Sequence, residues 1–235
     1  MTYLKQLKSE LNKLANKKQG LILQRFFKTG RGQYGEGDIF LGIKVPIQRI
    51  VSKKYIGLNF KDLAELLNSK IHEYRLIALI ILLSQYKKAN ELTKKKIIDF
   101  YLKNTKNINN WDLVDLSCHY IIGDYLLDKD RKILYKLARS KNLWEKRIAI
   151  ISTFAFIRNK EFNDTVKISE ILLNDKHDLI HKAVGWMLRE AGKKDRGVLE
   201  KFLNKHYKKM PRTMLRYAIE KLSDKKRKFY LGKLC

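Results

Sequence analysis

An all-α helical-repeat solenoid is the fold class this sequence predicts, and three observations predict it. Apolar residues recur at three- and four-residue spacing through long segments, while alternating runs are scarce. Only two prolines, Pro46 and Pro211, interrupt the 235 residues. Strongly apolar helices begin near His72, Asn109, Leu143, Asp178 and Pro211, about 33 to 37 residues apart.

The spacing predicts helices over roughly 2–18, 19–29, 46–54, 60–69, 72–87, 92–104, 109–127, 130–139, 143–159, 162–174, 178–192, 195–206, 211–222 and 224–234. A small residue anchors the repeat at Ala78, Ala149, Ala183 and Ala218. The first gap spans two repeats, and its missing member falls at Asp115, 37 residues after Ala78 and 34 before Ala149. Helix pairs of this length are the mark of a HEAT-like array, in which each pair buries its apolar face only by stacking on the next. The expectation is a single domain over 1–235, curved, with a basic concave groove lined by the second helix of each pair. Those helices carry Trp111, Arg147, Trp186 and Arg216.

Hydrophobic residues make up 45% of the chain, which argues against disorder and supplies ample core. Lys and Arg number 51 against 24 Asp and Glu, a formal charge of +27. Genome composition accounts for part of the lysine excess, but the remainder calls for a polyanionic partner: DNA, RNA or an anionic membrane surface. Cys118 and Cys235 belong to no CxxC and no Cys/His cluster, so neither a metal site nor a disulfide scaffold is expected. Cys118 lies in an apolar run and reads as a small core residue. The first residues carry no signal-peptide apolar region, and the longest apolar run, Leu76 to Leu83, is far below the ~18 residues that span a bilayer. A soluble, cytoplasmic monomer with no membrane association is the expectation.

One stretch departs from the helical pattern. Gly30, Gly32 and Gly35 satisfy GxGxxG literally, yet no βαβ unit surrounds them and no Gly-Lys-Ser/Thr follows, which rejects a dinucleotide site and a P-loop. The stretch Gly30–Asp38 is either a plain connection between helices or a loop whose backbone N–H groups approach a phosphate.

Two helical faces could carry chemistry. Trp111 and Asp115 are four apart and share a face. Asp115 is either a structural acid paired with a cation of a neighbouring repeat, or a carboxylate aimed at a cationic ligand beside an indole. Lys182, Trp186 and Arg189 form a cation–aromatic–cation stripe that suits phosphate contacts around a stacking surface, or else Trp186 packs helices while its neighbours reach solvent. Gly185, costing ~1 kcal/mol in a helix relative to Ala, implies close approach of a backbone or a ligand. Arg147 sits two residues before its anchor and Arg75 three before its own, and either could form an ion pair or reach a phosphate. Arg212 and Arg216 extend the basic stripe; the five histidines show no pattern.

These residues carry a resemblance. The chain resembles the AlkD-like DNA glycosylases, HEAT-like enzymes that excise alkylated purines. The likeness runs through Gln33–Asp38 and Phe40–Pro46, through Asn110-Trp111-Asp112-Leu113-Val114-Asp115, through Trp144–Ala149, and through Lys182–Glu190 to Met210-Pro211-Arg212. It implies that Asp115 is the catalytic carboxylate, that Trp111 and Trp186 flank the lesion's deoxyribose, and that Arg147 holds the DNA backbone. Lys182, Arg189, Arg212, Arg216 and Tyr34 complete the expected DNA contacts. The family pattern places a tyrosine near Phe27 in some members, and Phe26-Phe27 offers no hydroxyl.

The resemblance implies hydrolysis of the N-glycosidic bond of cationic purines such as 3-methyladenine and 7-methylguanine in duplex DNA, without base flipping and without cofactor or metal. It opens base excision repair. Two other readings stand beside it: a non-catalytic HEAT-like module that binds DNA or RNA, and a protein-interaction scaffold. The second would tolerate Asp115→Asn, and the third would show little salt dependence.

Overall fold

The computed structural model describes residues 2–232 and is all-helical. Cys235 and the end of the helix expected over 224–234 lie outside the described residues. The helices are α1 (Tyr3–Lys13), α2 (Lys17–Phe26), α3 (Val45–Ser52), α4 (Phe60–Leu67), α5 (His72–Lys88), α6 (Glu91–Lys103), α7 (Trp111–Asp115), α8 (Lys132–Ala138), α9 (Leu143–Ser152), α10 (Phe154–Arg158), α11 (Asn163–Ile171), α12 (Asp178–Lys194), α13 (Arg196–His206), α14 (Arg212–Ile219) and α15 (Asp224–Tyr230). Asparagine starts several of them: the side chains of Asn16, Asn59, Asn90 and Asn142 accept from backbone N–H groups of the first turns they precede.

The chain divides after Ser117 into two compact units. In the first, α5 is the central helix and packs against α3, α4, α6 and α7. Twelve of its 17 residues are buried, because its sequence is apolar on every side. In the second unit α12 takes that place, packing against α9, α10, α11, α13 and α14. The anchor residues Ala78, Ala149, Ala183 and Ala218 are all buried, as the inward-facing positions of the helical pattern require. Cys118 is fully buried, as expected.

Two expected helices are interrupted, and a hydroxyl marks each break. The helix expected over 109–127 is reduced to α7 and resumes as a π-helical turn, His119–Gly123. Between them Ser117 Oγ donates to the Leu113 carbonyl at 2.6 Å, a side-chain bond that competes with the helical ladder. Within the second unit, Thr153 Oγ1 likewise donates to the Ile150 carbonyl at 2.7 Å, where the helix expected over 143–159 splits into α9 and α10.

Candidate active site

Trp111 and Asp115 lie one turn apart at the two ends of α7, both half-buried. Asn110 sets the start of this helix: its Oδ1 accepts from the Trp111 N–H at 2.8 Å. The indole rests on an aromatic stack. Phe27 lies parallel to it, ring centroids 5.1 Å apart at an interplanar angle of 13°, and Phe40 stacks behind Phe27 at 4.9 Å. Phe26 meets the indole edge-on at 5.9 Å. The pair Phe26-Phe27 therefore supplies a ring surface where a hydroxyl was in question.

Beneath the stack lies a buried charged cluster that sequence reasoning missed. His72, only 2% exposed, places Nε2 2.8 Å from Asp112 Oδ2 and Nδ1 3.4 Å from Asp38 Oδ2. Arg75 Nη2 donates to the same Asp38 oxygen at 2.6 Å, and Asn110 Nδ2 reaches it at 3.3 Å. Arg75 thus takes the structural of its two expected roles. Burial raises the Asp38 carboxyl, but hydrogen bonds and charge from His72 and Arg75 outweigh it and hold the carboxyl below the ordinary range. Burial likewise depresses the His72 imidazole, and the neighbouring Asp112 and Asp38 carboxylates reverse the sign, leaving its pKa raised.

Glu73, next in sequence, binds the connection between α2 and α3. Its Oε1 accepts from the N–H groups of Gly42 at 2.8 Å and Ile43 at 3.2 Å, and its Oε2 from Leu41 at 2.9 Å. Gly42 has φ +84°, and a side chain there would run into the Asn16 carbonyl. Ile39 pairs with the start of α5 through bonds of 2.9 Å to Lys70 and 2.8 Å from His72. In the glycine-rich stretch the N–H groups of Gly30, Gly32 and Gly35 are taken by Gln33, Glu36 and Lys28. That geometry favours the connecting-loop reading over the phosphate-cradle reading. Tyr34 lies half-buried within it.

The second unit holds the remaining candidates. Trp186 is half-buried on α12, with Phe154 as an aromatic neighbour at 6.0 Å. Gly185 is explained: a Cβ there would lie 2.5 Å from both the Met214 carbonyl oxygen and Tyr217 Cβ, so the α14 backbone fills the space. Lys182 pairs with Asp178 at 2.7 Å, and Arg189 is engaged by Glu190 and Glu220. Arg147 is 5% exposed, and its Nη1 donates to the Leu179 carbonyl at 2.6 Å. Arg212 and Arg216 are exposed on α14, Arg212 donating to the Leu231 carbonyl at 3.2 Å. Phe154 continues into an aromatic–cationic group in which the Arg158 guanidinium lies 5.0 Å from the Phe154 ring and 5.1 Å from the Tyr120 ring.

A cavity of about 540 Å³ in this unit is lined by residues such as Arg131, Asp164, Lys201, Phe202 and His206, and it includes none of the expected site residues. Among the described residues, no group of three or more His, Cys, Asp or Glu is placed to hold a metal ion, and no helix is long and apolar enough to cross a membrane.

Comparison with known proteins adds a family and a fold. The family model for DNA alkylation repair enzymes matches residues 7–222. A solved structure, a predicted DNA alkylation repair enzyme from Enterococcus faecalis, is similar with a TM-score of 0.69 at 16% identity, over 89% of this chain and 97% of that one. No curated protein sequence gives a significant match.

Proposed function

Because the chain belongs to the DNA alkylation repair enzyme family, we propose that it is a DNA glycosylase that hydrolyses the N-glycosidic bond of cationic alkylated purines in duplex DNA. The observation that carries this reading is the placement of Asp115 one turn from Trp111, whose ring is backed by Phe27 and Phe40. The charge of +27 supports a polyanionic substrate.

Alkylation at purine N3 or N7 leaves the base cationic and its glycosidic bond weak. As the neutral base departs, positive charge develops on the deoxyribose. The Asp115 carboxylate stabilises that charge and orients the water that attacks C1′. The face of Trp111 adds quadrupolar attraction for that charge, and the family resemblance assigns Trp186 the same part. A half-exposed carboxylate on a short helix suits a lesion approached along the sugar edge, with the base left in the stack rather than drawn into a closed pocket. Selectivity then follows the lesion's own charge and lability: 3-methyladenine and 7-methylguanine are released, neutral lesions are not, and bulky cationic adducts are accepted.

Lys182, Arg189, Arg212, Arg216 and Tyr34 contact the DNA in this reading. The ion pairs of Lys182 and Arg189 must exchange carboxylate for phosphate on binding. Arg147 braces the first turn of α12 through Leu179, and its assignment to the DNA backbone comes from the family resemblance.

The test is base release from methylated duplex DNA by the intact protein and by Asp115→Asn. Release of both purines by the intact protein, reduced by ~10²–10³ or more in the variant with duplex affinity retained, is the expected result. Binding by both without release by either would make the chain a DNA-binding module instead.

A further inference from the structure

The first unit contains a buried ionisable group that the proposed chemistry does not use. His72 opens α5, the most buried helix of that unit, and both of its ring nitrogens face carboxylates: Asp112 from α7 at 2.8 Å and Asp38 from the loop at 3.4 Å. Its charged neighbours come from α5, from α7 and from the loop before α3. Arg75, also on α5, reaches Asp38 at 2.6 Å and His72 Nδ1 at 3.4 Å. Glu73 is turned to the backbone of residues 41–43. Lys44, which precedes α3, lines the same small cavity of about 80 Å³ as His72 and Glu73. With the imidazole protonated, Asp38, Asp112, Arg75 and His72 sum to zero charge; with it neutral, a buried net negative charge remains, which is costly.

The cluster reaches Trp111 by two routes. Along the backbone, Asp112 and Asn110 flank Trp111; Asp112 takes the His72 Nε2 bond, and Asn110 bonds both the Trp111 N–H and Asp38. Through the rings, His72 stacks on Phe40 at 4.4 Å and lies 5.1 Å from Phe27, which in turn stacks with the indole. Moving the imidazole or removing its charge therefore disturbs both the first turn of α7 and the surface on which Trp111 rests.

We propose that protonated His72 is a positioning residue: a charged clamp between Asp38 and Asp112 that fixes Trp111, and with it the short helix ending at Asp115, in the arrangement excision requires. The role rests on the glycosylase reading for its consequence, though not for its geometry. Its sign with pH is set. The raised pKa keeps the clamp intact at pH values where an ordinary histidine, near 6.5, has begun to lose its proton. The clamp opens as pH rises through the folded-state value.

The full chain labelled with 5-fluorotryptophan tests this, with three fluorine resonances from Trp111, Trp144 and Trp186. Trp111 is assigned by its loss in Trp111→Phe. In the intact protein the Trp111 resonance should titrate with a midpoint above 6.5; that titration should be absent from His72→Gln and moved to lower pH in Asp112→Asn, which loses the largest contribution holding the proton. Single-turnover base release by the variants should fall by about 10- to 100-fold while duplex affinity stays within about twofold, as misplacement of reacting groups predicts. If His72→Gln fails to fold, Asp112→Asn, which keeps the shape and removes one charge, decides the matter. A Trp111 resonance that does not titrate in the intact protein, or that titrates alike in the variants, overturns the clamp. So does an Asp112→Asn variant in which release and binding decline together with all three resonances, since that is general loss of structure. If the intact protein releases no base, the glycosylase reading fails and the resonance still decides the clamp.

Discussion

Trp111 and Trp186 are held in different ways. Trp111 sits on a five-residue helix with little ladder of its own, and its place comes from Phe27, Phe40 and the buried Asp38–His72–Asp112 cluster. Trp186 sits in the middle of a 17-residue helix whose neighbour α14 fills the notch at Gly185, and the charges nearby form surface pairs. The first aromatic is fixed by polar and aromatic contacts converging from three elements, the second by the packing of regular helices. Substitutions of single charged groups should therefore disturb the first region, and substitutions of volume the second.

The largest effect expected from this contrast, after the loss of base release in Asp115→Asn, belongs to Glu73→Gln. Its carboxylate is 1% exposed and accepts three consecutive backbone N–H groups. An amide must turn its NH2 toward one of them, at a cost of about 3 kcal/mol, which urea unfolding would read as a lower midpoint at unchanged slope. A loss under ~1 kcal/mol would mean that the contact contributes little to holding the first region. Next comes Gly185→Ala, which must push α12 from α14 and should cost about 1–3 kcal/mol. It should move the fluorine resonance of Trp186 and leave that of Trp111 in place; equal movement of both would erase the distinction between the regions. The smallest is Arg216→Ala on the exposed face of α14. Stability should change by no more than about 0.5 kcal/mol. Duplex affinity should weaken evenly across sequences, with the salt slope reduced by about one if Arg216 meets a phosphate.

What could be read in the sequence follows the same division. The alanine anchors, the buried Cys118 and the close approach at Gly185 are legible because 3.6-residue periodicity reports which side chains face inward. The half-buried face shared by Trp111 and Asp115 was visible from a spacing of four. The clamp was not, because its bonds join residues 34 and 40 positions apart and no local pattern encodes them. A signal was nonetheless present. His72, Glu73 and Arg75 open a helix that is apolar on every side, so these charges had no solvent face to occupy and required buried partners. The break after α7 had its own marker in Ser117, a hydroxyl inside an apolar helical run.

The notch at Gly185 bears on how such a molecule can be rearranged over evolutionary time. Arrays of helix pairs lengthen and shorten by whole repeats, and a terminal pair often serves only as a cap. Here the backbone of α14 occupies the space where residue 185 would otherwise carry a side chain, immediately beside Trp186. The pair that ends with α14 is thus no interchangeable cap: deleting it would uncover main-chain-deep packing beside Trp186, one of the two aromatic residues proposed to meet the lesion.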